Sequence, residues 1–318
     1  MNQHPSIDIL LATYNGGRFL NDQIQSILNQ NHLDWRLIIR DDGSTDDTAE
    51  IIRNYALNYP EKILVINDSE HTMGACGNFG RLLEHTTADY VMFCDQDDVW
   101  LPRKIELTLR KMNVMEKTYG QDMPLLIYTD MKVVDDDLSV IANSFWRNQA
   151  FNPNIGRSLS RFLVSNVATG CTVMINRQLK DLAVPLPQEA LMHDWWVGLV
   201  SSALGKNDYL DEATVLYRQH ALNVVGAKWN LNIKTLADKL MRFPELKRIN
   251  REHLLRTQQQ AAAFAFRYKV FLNENDYNKI MTYANLSDQS FFYKRIAIIR
   301  YGFWWAGFIR SAVLFLII

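Results

Sequence analysis

Three carboxylates in four residues, Asp95-Gln96-Asp97-Asp98, directly follow the apolar run Tyr90 to Cys94. Carboxylates this close repel one another unless a cation or solvent compensates them. Hard oxygen ligands suit Mg²⁺ or Mn²⁺, and Mg²⁺ usually takes one or two carboxylates together with substrate phosphates. A metal that joins this turn to a diphosphate is one reading. A solvated acidic turn capping the helix after Pro102 is the other. Asp41-Asp42-Gly43-Ser44-Thr45-Asp46 carries the same ambiguity. Either Asp41 or Asp42 could accept the imide N–H of a pyrimidine base, and the same residues could merely make a turn and a helix cap. Thr13-Tyr14-Asn15-Gly16-Gly17 offers a stacking ring, small hydrogen-bonding side chains and a glycine pair that lets backbone approach a ligand. Arg18, at the start of the helix that follows, can reach phosphate.

Two further sites lie downstream. His193-Asp194-Trp195-Trp196 opens a helical pattern after a loop marked by Pro185 and Pro187. A displacement in which a hydroxyl attacks carbon requires a carboxylate or His to take the proton, and Asp194 is the candidate. An Asp at that position also serves as a helix cap, with the tryptophans in the core. His220 follows a strand-like run and reads as a further metal ligand, a diphosphate donor or a surface side chain.

The elements that must position these residues follow from periodicity. Ile7 to Thr13, Leu37 to Arg40, Ile63 to Ile66 and Tyr90 to Cys94 are strand-like, with amphipathic stretches between them. The first helix is predicted over Arg18 to about Asn29, and the second from Asp46-Asp47-Thr48. This alternation predicts an α/β fold with a mostly parallel, doubly wound sheet. Ligands gather at the carboxyl ends of such strands, so the three polar motifs share one rim. Beyond Trp100 we expect a helix over Arg103 to Glu116, strands at Leu125 to Thr129 and Ala168 to Ile175, and a helix from His193. Residues 1–225 thus read as one catalytic domain, about 1–100 for a nucleotide half and 101–225 for an acceptor half, and 226–318 as a helical extension.

Composition narrows the class. The 318 residues are 48% hydrophobic with net charge −1, which suits a globular enzyme and argues against disorder or nucleic-acid binding. Residues 226–310 hold fifteen Lys or Arg against six Asp or Glu, so the two regions face different partners. Cys76, Cys94 and Cys171 lack metal-finger spacing and read as reduced thiols, and the N-terminus carries no secretory pattern, so a cytoplasmic location is expected. No GxGxxG or GxxxxGK[ST] is present, which disfavours a dinucleotide fold, a P-loop or a nucleotidyltransferase. A non-catalytic carbohydrate- or nucleotide-binding scaffold remains an alternative.

In order, these motifs resemble the family 2 glycosyltransferases over about residues 6 to 226. The resemblance implies the A-type glycosyltransferase fold and a nucleotide-diphosphate sugar donor. It also implies donor contacts from Thr13, Tyr14, Asn15, Asp41, Asp42, Asp95 and Gln96. Asp97 stands where the family's metal-binding Asp stands, Asp95 at its helper position, and Asp194 at the base, with His193 replacing the usual Glu. Ile39 to Asp46, Asp95 to Trp100, Tyr128-Thr129-Asp130, Met192 to Trp195 and Tyr217 to His220 look like bacterial cell-wall rhamnosyltransferases. That implies dTDP-L-rhamnose as donor and a lipid-linked or growing polysaccharide as acceptor, with a UDP-hexose or UDP-N-acetylhexosamine donor as the alternative. The Gln-x-x-Arg-Trp motif of processive relatives is absent, so one sugar per encounter is expected.

Ile296 to Ile318 is the most apolar stretch, and Arg300 and Arg310 interrupt it. A spanning helix needs about 20 predominantly apolar residues. We therefore expect an interfacial helix from Ile296 onward, with Tyr301, Trp304 and Trp305 beside Lys294, Arg295, Arg300 and Arg310, settling on an anionic membrane surface at the inner face of the cell membrane. A buried helix or a homo-oligomer interface is the alternative.

Overall fold

The computed structural model describes residues 7–70, 72–220 and 236–304. The chain opens with β1 (Ile7–Thr13), α1 (Gly17–Leu28), β2 (Trp35–Asp41), α2 (Thr48–Asn58), β3 (Ile63–Ile66), α3 (Gly74–His85) and β4 (Tyr90–Cys94). It continues through β5 (Val99–Trp100), α4 (Lys104–Tyr119), β6 (Leu125–Val134), β7 (Val140–Ala142), α5 (Phe145–Asn148) and α6 (Leu159–Val164). Then come β8 (Met174–Asn176), α7 (Arg177–Ala183), α8 (His193–Leu204) and β9 (Lys206–Arg218), and three helices follow: α9 (Leu236–Tyr268), α10 (Glu274–Ala284) and α11 (Phe291–Tyr301).

The strands lie in the order β3-β2-β1-β4-β8-β6-β9-β5, with β7 beside β6. β3, β2, β1 and β4 are all parallel, as the strand and helix alternation predicts. The second half is mixed: β6 and β9 run parallel, while β8, β5 and β7 join antiparallel. Successive side chains on a strand point to opposite faces. Ile9 and Leu11 accordingly join one core, with Leu20, Ile24 and Ile105, while Leu10 joins the other, with Phe79, Leu83 and Trp196. Each fully buried Leu or Ile contributes about 1.5–3 kcal/mol, so a one-residue slip of β1 would forfeit several of these terms together.

Two elements differ from expectation. The strand predicted over Ala168 to Ile175 is a tight 3-10 turn at Gly170–Thr172 and a short β8. The Gly170 N–H donates to Asp194 Oδ2 at 2.8 Å and so is withheld from the ladder. At the C-terminus α11 begins at Phe291 and stops at Tyr301, because Gly302 adopts φ +72° and closes the helix through its N–H to the Ile298 carbonyl. Tyr301 and Trp304 pack onto the core, and Phe303 is buried. The expected interfacial residues Trp305, Arg310 and the run to Ile318 lie outside the described residues. Among the described residues no helix is long and apolar enough to cross a membrane. The helical extension is joined to the sheet domain through α9, where Phe264 lies edge-on to Trp196 at 5.6 Å between ring centroids.

Candidate active site

Strand register assembles the rim. Thr13 pairs with Asp41 and Leu11 with Cys94, so the turns after β1, β2 and β4 leave the sheet side by side. Thr13 Oγ1 donates to Asp41 Oδ1 at 2.8 Å, and the Ser44 N–H donates to Asp41 Oδ2 at 2.8 Å. Asn15, at φ +48°, donates its N–H to Ser44 Oγ and accepts the Thr45 N–H, each at 2.8 Å. The Tyr14 N–H donates to Gln96 Oε1 at 2.9 Å, and Gln96 Nε2 returns a bond to the Tyr14 carbonyl at 3.0 Å. Gly16 permits this approach, since a Cβ there would lie 2.2 Å from Gln96 Oε1. The Tyr14 side chain is left exposed beside this pair.

Adjacent carboxylates part company at Asp41 and Asp42. Asp42 is buried and accepts the Met73 and Gly74 N–H groups at 3.1 and 2.8 Å, which fixes the start of α3. Asp41 stays partly open at the rim. Arg18, largely exposed, turns to Asp136, 2.8 Å away.

β5 carries the acidic turn to β9. Val99 lies opposite Leu216 in an antiparallel pair, so the residues before Val99 meet those after Leu216. His220 Nε2 and Asp97 Oδ2 thus come within 2.8 Å. Arg218, buried, donates from Nε to the Asp97 carbonyl at 3.0 Å and from its terminal nitrogen to Asp22 Oδ2 at 2.8 Å. It also reaches the Asp136 carbonyl. The sequence pattern assigns Arg218 no role, because its partners on α1 and in the loop after β6 are distant along the chain.

Asp98 lies behind the turn, fully buried, and accepts the Arg218 N–H at 3.1 Å. Burial, then the charges of Asp97 and Asp95, hold it well above the ordinary carboxylate range. Asp95, Asp98 and Cys171 bring ligand-type atoms within 4.8 Å of one another. Asp98 and Cys171 are sealed from solvent, however, whereas Asp95, Asp97 and His220 are partly exposed. Asp97 and His220 on the open side offer a carboxylate and an imidazole of the kind a divalent ion takes, with Asp95 in the same turn, whereas the set behind them includes a thiol. Burial and the negative charges of Asp97 and Asp194 push Asp95 up, which is the strain that a dication relieves.

Asp194, near enough for its charge to reach Asp95, sits in the first turn of α8. Its carboxylate accepts the Gly170 N–H at 2.8 Å and the Trp195 N–H at 2.7 Å. Burial raises it to about 6 despite a hydrogen bond from Asn166, a neighbour that spacing gave no reason to single out. A base poised near neutrality is the expected setting for proton abstraction. His193 beside it stacks on Phe79 at 3.7 Å between centroids and meets Phe93 edge-on at 4.6 Å. Burial lowers it to about 3, so it stays neutral and supports the helix start from within the core.

This sheet, with its polar rim and a buried carboxylate at a helix start, is that of an A-type glycosyltransferase. The model of Glycosyl transferase family 2 matches residues 8–179, and the chain belongs to that family, as an enzyme that uses nucleotide-sugar donors. The dTDP-rhamnosyl transferase RfbG of Shigella flexneri is 28% identical over 235 residues, spanning 70% of this chain and 76% of that one. The Escherichia coli UDP-Glc:alpha-D-GlcNAc-diphosphoundecaprenol beta-1,3-glucosyltransferase WfgD is 28% identical over 116 residues, 36% of this chain and 44% of that one. Mannosyltransferase PcManGT of Pyrobaculum calidifontis, solved with GDP-Man and Mn²⁺, shares the fold with TM-score 0.51 and 15% identity, covering 99% of this chain and 88% of that one.

Proposed function

We propose that the protein is an inverting, divalent-metal-dependent glycosyltransferase that moves L-rhamnose from dTDP-L-rhamnose onto a lipid-linked or growing cell-surface polysaccharide. The observation that carries this reading is Asp194, a carboxylate buried in the first turn of α8 and fixed there by the Gly170 and Trp195 N–H groups, near enough to the acidic turn for Asp95 to feel its charge. A base and a cation site on one cleft are what a single displacement needs. Asp95, Asp97 and His220 would hold the Mg²⁺ or Mn²⁺. Such an ion supplies charge neutralisation for a departing diphosphate.

Asp194 takes the proton of the acceptor hydroxyl as that oxygen bonds to the anomeric carbon. The bond from this carbon to the diphosphate oxygen breaks on the opposite side, which inverts the centre. Asp41 accepts the base N–H, and Thr13, Asn15 and Gln96 shape the nucleoside pocket that Tyr14 covers. Asp42 supports this pocket through α3, and Arg18 exchanges Asp136 for phosphate. Support for rhamnose comes from the name of the Shigella flexneri relative, and support for a lipid diphosphate acceptor from that of the Escherichia coli one. Titration with dTDP, UDP and GDP, each with Mn²⁺ or chelator, tests the donor. Metal-dependent dTDP binding is expected. A UDP preference would move the donor to a hexose or N-acetylhexosamine, and binding of none would overturn the catalytic reading.

A further inference from the structure

Helix α11 presents two unlike faces. At 3.6 residues per turn, Ala297 and Ile298 fall on one side and are buried. Phe292, Ile296 and Ile299 fall on the other and are 76%, 61% and 63% exposed. Arg295 and Arg300 lie at the two margins of this outward stripe, and the helix carries Lys294 as well but no Asp or Glu. Isolated exposed apolar side chains are ordinary, but an aligned stripe of three on a helix already anchored by its other face marks a contact surface. A stripe bounded by arginines, with no acidic residue on the helix, complements a surface that is apolar inside and anionic at its edge. A second copy of this chain would offer the same positive margin and set arginine against arginine. The chain beyond α11 keeps this character, since residues 305–318 contain Arg310 and no acidic residue.

We infer that the Phe292, Ile296 and Ile299 face of α11 lies on an anionic lipid bilayer, with Arg295 and Arg300 at the headgroups. The surface differs from the aromatic set expected from sequence, because Tyr301 and Trp304 pack inward and Phe292 points out. It deepens the reading of a lipid-linked acceptor, since a transferase resting on the bilayer meets that acceptor in two dimensions.

The test is co-sedimentation of the full chain with phosphatidylcholine vesicles, with and without phosphatidylglycerol. Binding to the anionic vesicles that weakens with salt is expected. Phe292→Glu, Ile296→Glu and Ile299→Glu together should lower partitioning by more than tenfold, while dTDP binding and the thermal transition stay as they were. Arg295→Ala with Arg300→Ala should lower it by about 25-fold, from roughly fivefold per basic side chain near such a surface. Unchanged partitioning in the triple variant overturns the inference. So does a shift of the triple variant to a smaller species by light scattering with vesicle binding intact, which assigns the face to a second copy. Absent vesicle binding alongside normal transfer to a soluble acceptor overturns this inference alone and leaves the glycosyl-transfer reading standing.

Discussion

His220 and Asp97, 123 residues apart, meet through a single contact of 2.8 Å between Nε2 and Oδ2. The contact joins the turn after β4 to the end of β9, and the β5 and β9 pairing sets it. If both residues hold a divalent ion, Asp97→Asn and His220→Ala should each lower turnover by about 10²- to 10³-fold. Added Mn²⁺ in the millimolar range should recover part of the loss for His220→Ala and little for Asp97→Asn. Steady-state assays across a metal titration check this, and turnover of either variant at the wild-type rate would remove that residue from the metal site.

Asp194 gives two predictions of opposite visibility. Turnover of Asp194→Asn should fall by about 10²- to 10⁴-fold, the usual range for a general base, with donor affinity unchanged. The wild-type rate needs the ionised carboxylate, so it should rise with pH up to about 6 and level off above. The sign for stability is the reverse. A carboxyl whose folded value is raised binds its proton more tightly when folded, so it opposes folding above pH 6 and ceases to do so below the unfolded value near 3.8. Asp194→Asn removes that buried charge but leaves the Gly170 or Trp195 N–H without an acceptor, about 1–3 kcal/mol. The two effects nearly cancel, and denaturation at pH 7 should move by about 1 kcal/mol or less.

Arg218 is predicted to be a positioning residue. Arg218→Lys keeps the charge but loses the planar fork that reaches Asp22, the Asp97 carbonyl and the Asp136 carbonyl together. Stability should fall by about 1–3 kcal/mol, and Mn²⁺ affinity should fall with it, by about tenfold. A loss of stability with metal affinity intact would make Arg218 a structural staple only.

Gly16→Ala separates the donor pocket from the fold. The added Cβ meets the end of a flexible side chain, Gln96 Oε1 at 2.2 Å, so the side chain swings away at little cost to stability. The Tyr14 and Gln96 amide pair is lost with it. Calorimetry should show weaker nucleotide binding, by about tenfold, with an unchanged thermal transition.

Much of this site is legible in the sequence because apolar strands end where polar turns begin. Tyr90 to Cys94 is the strand the pattern predicts, and the acidic turn follows it. What the sequence hides is direction and distance. Asp41 and Asp42 read alike, yet alternate side chains on an extended backbone send one to the rim and the other under α3. Arg218 and Asp22 are 196 residues apart, and only the β9 register brings them together. Ala168 to Ile175 has a strand's composition, but Asp194 draws off the Gly170 amide. At the C-terminus the apolar run predicts a helix from Ile296, whereas the capping chemistry of Ser290, whose Oγ accepts the Tyr293 N–H, and of Gly302 sets the ends of α11 at Phe291 and Tyr301.

The most direct measurement is release of dTDP from dTDP-L-rhamnose by the purified full chain with a lipid-linked acceptor, with Mn²⁺ and then with chelator, beside the Asp194→Asn variant. The metal-dependent, inverting mechanism predicts acceptor-dependent release that chelator abolishes and that the variant lacks, with an inverted anomeric centre in the product. Release that persists in chelator, or in Asp194→Asn at the wild-type rate, would contradict it.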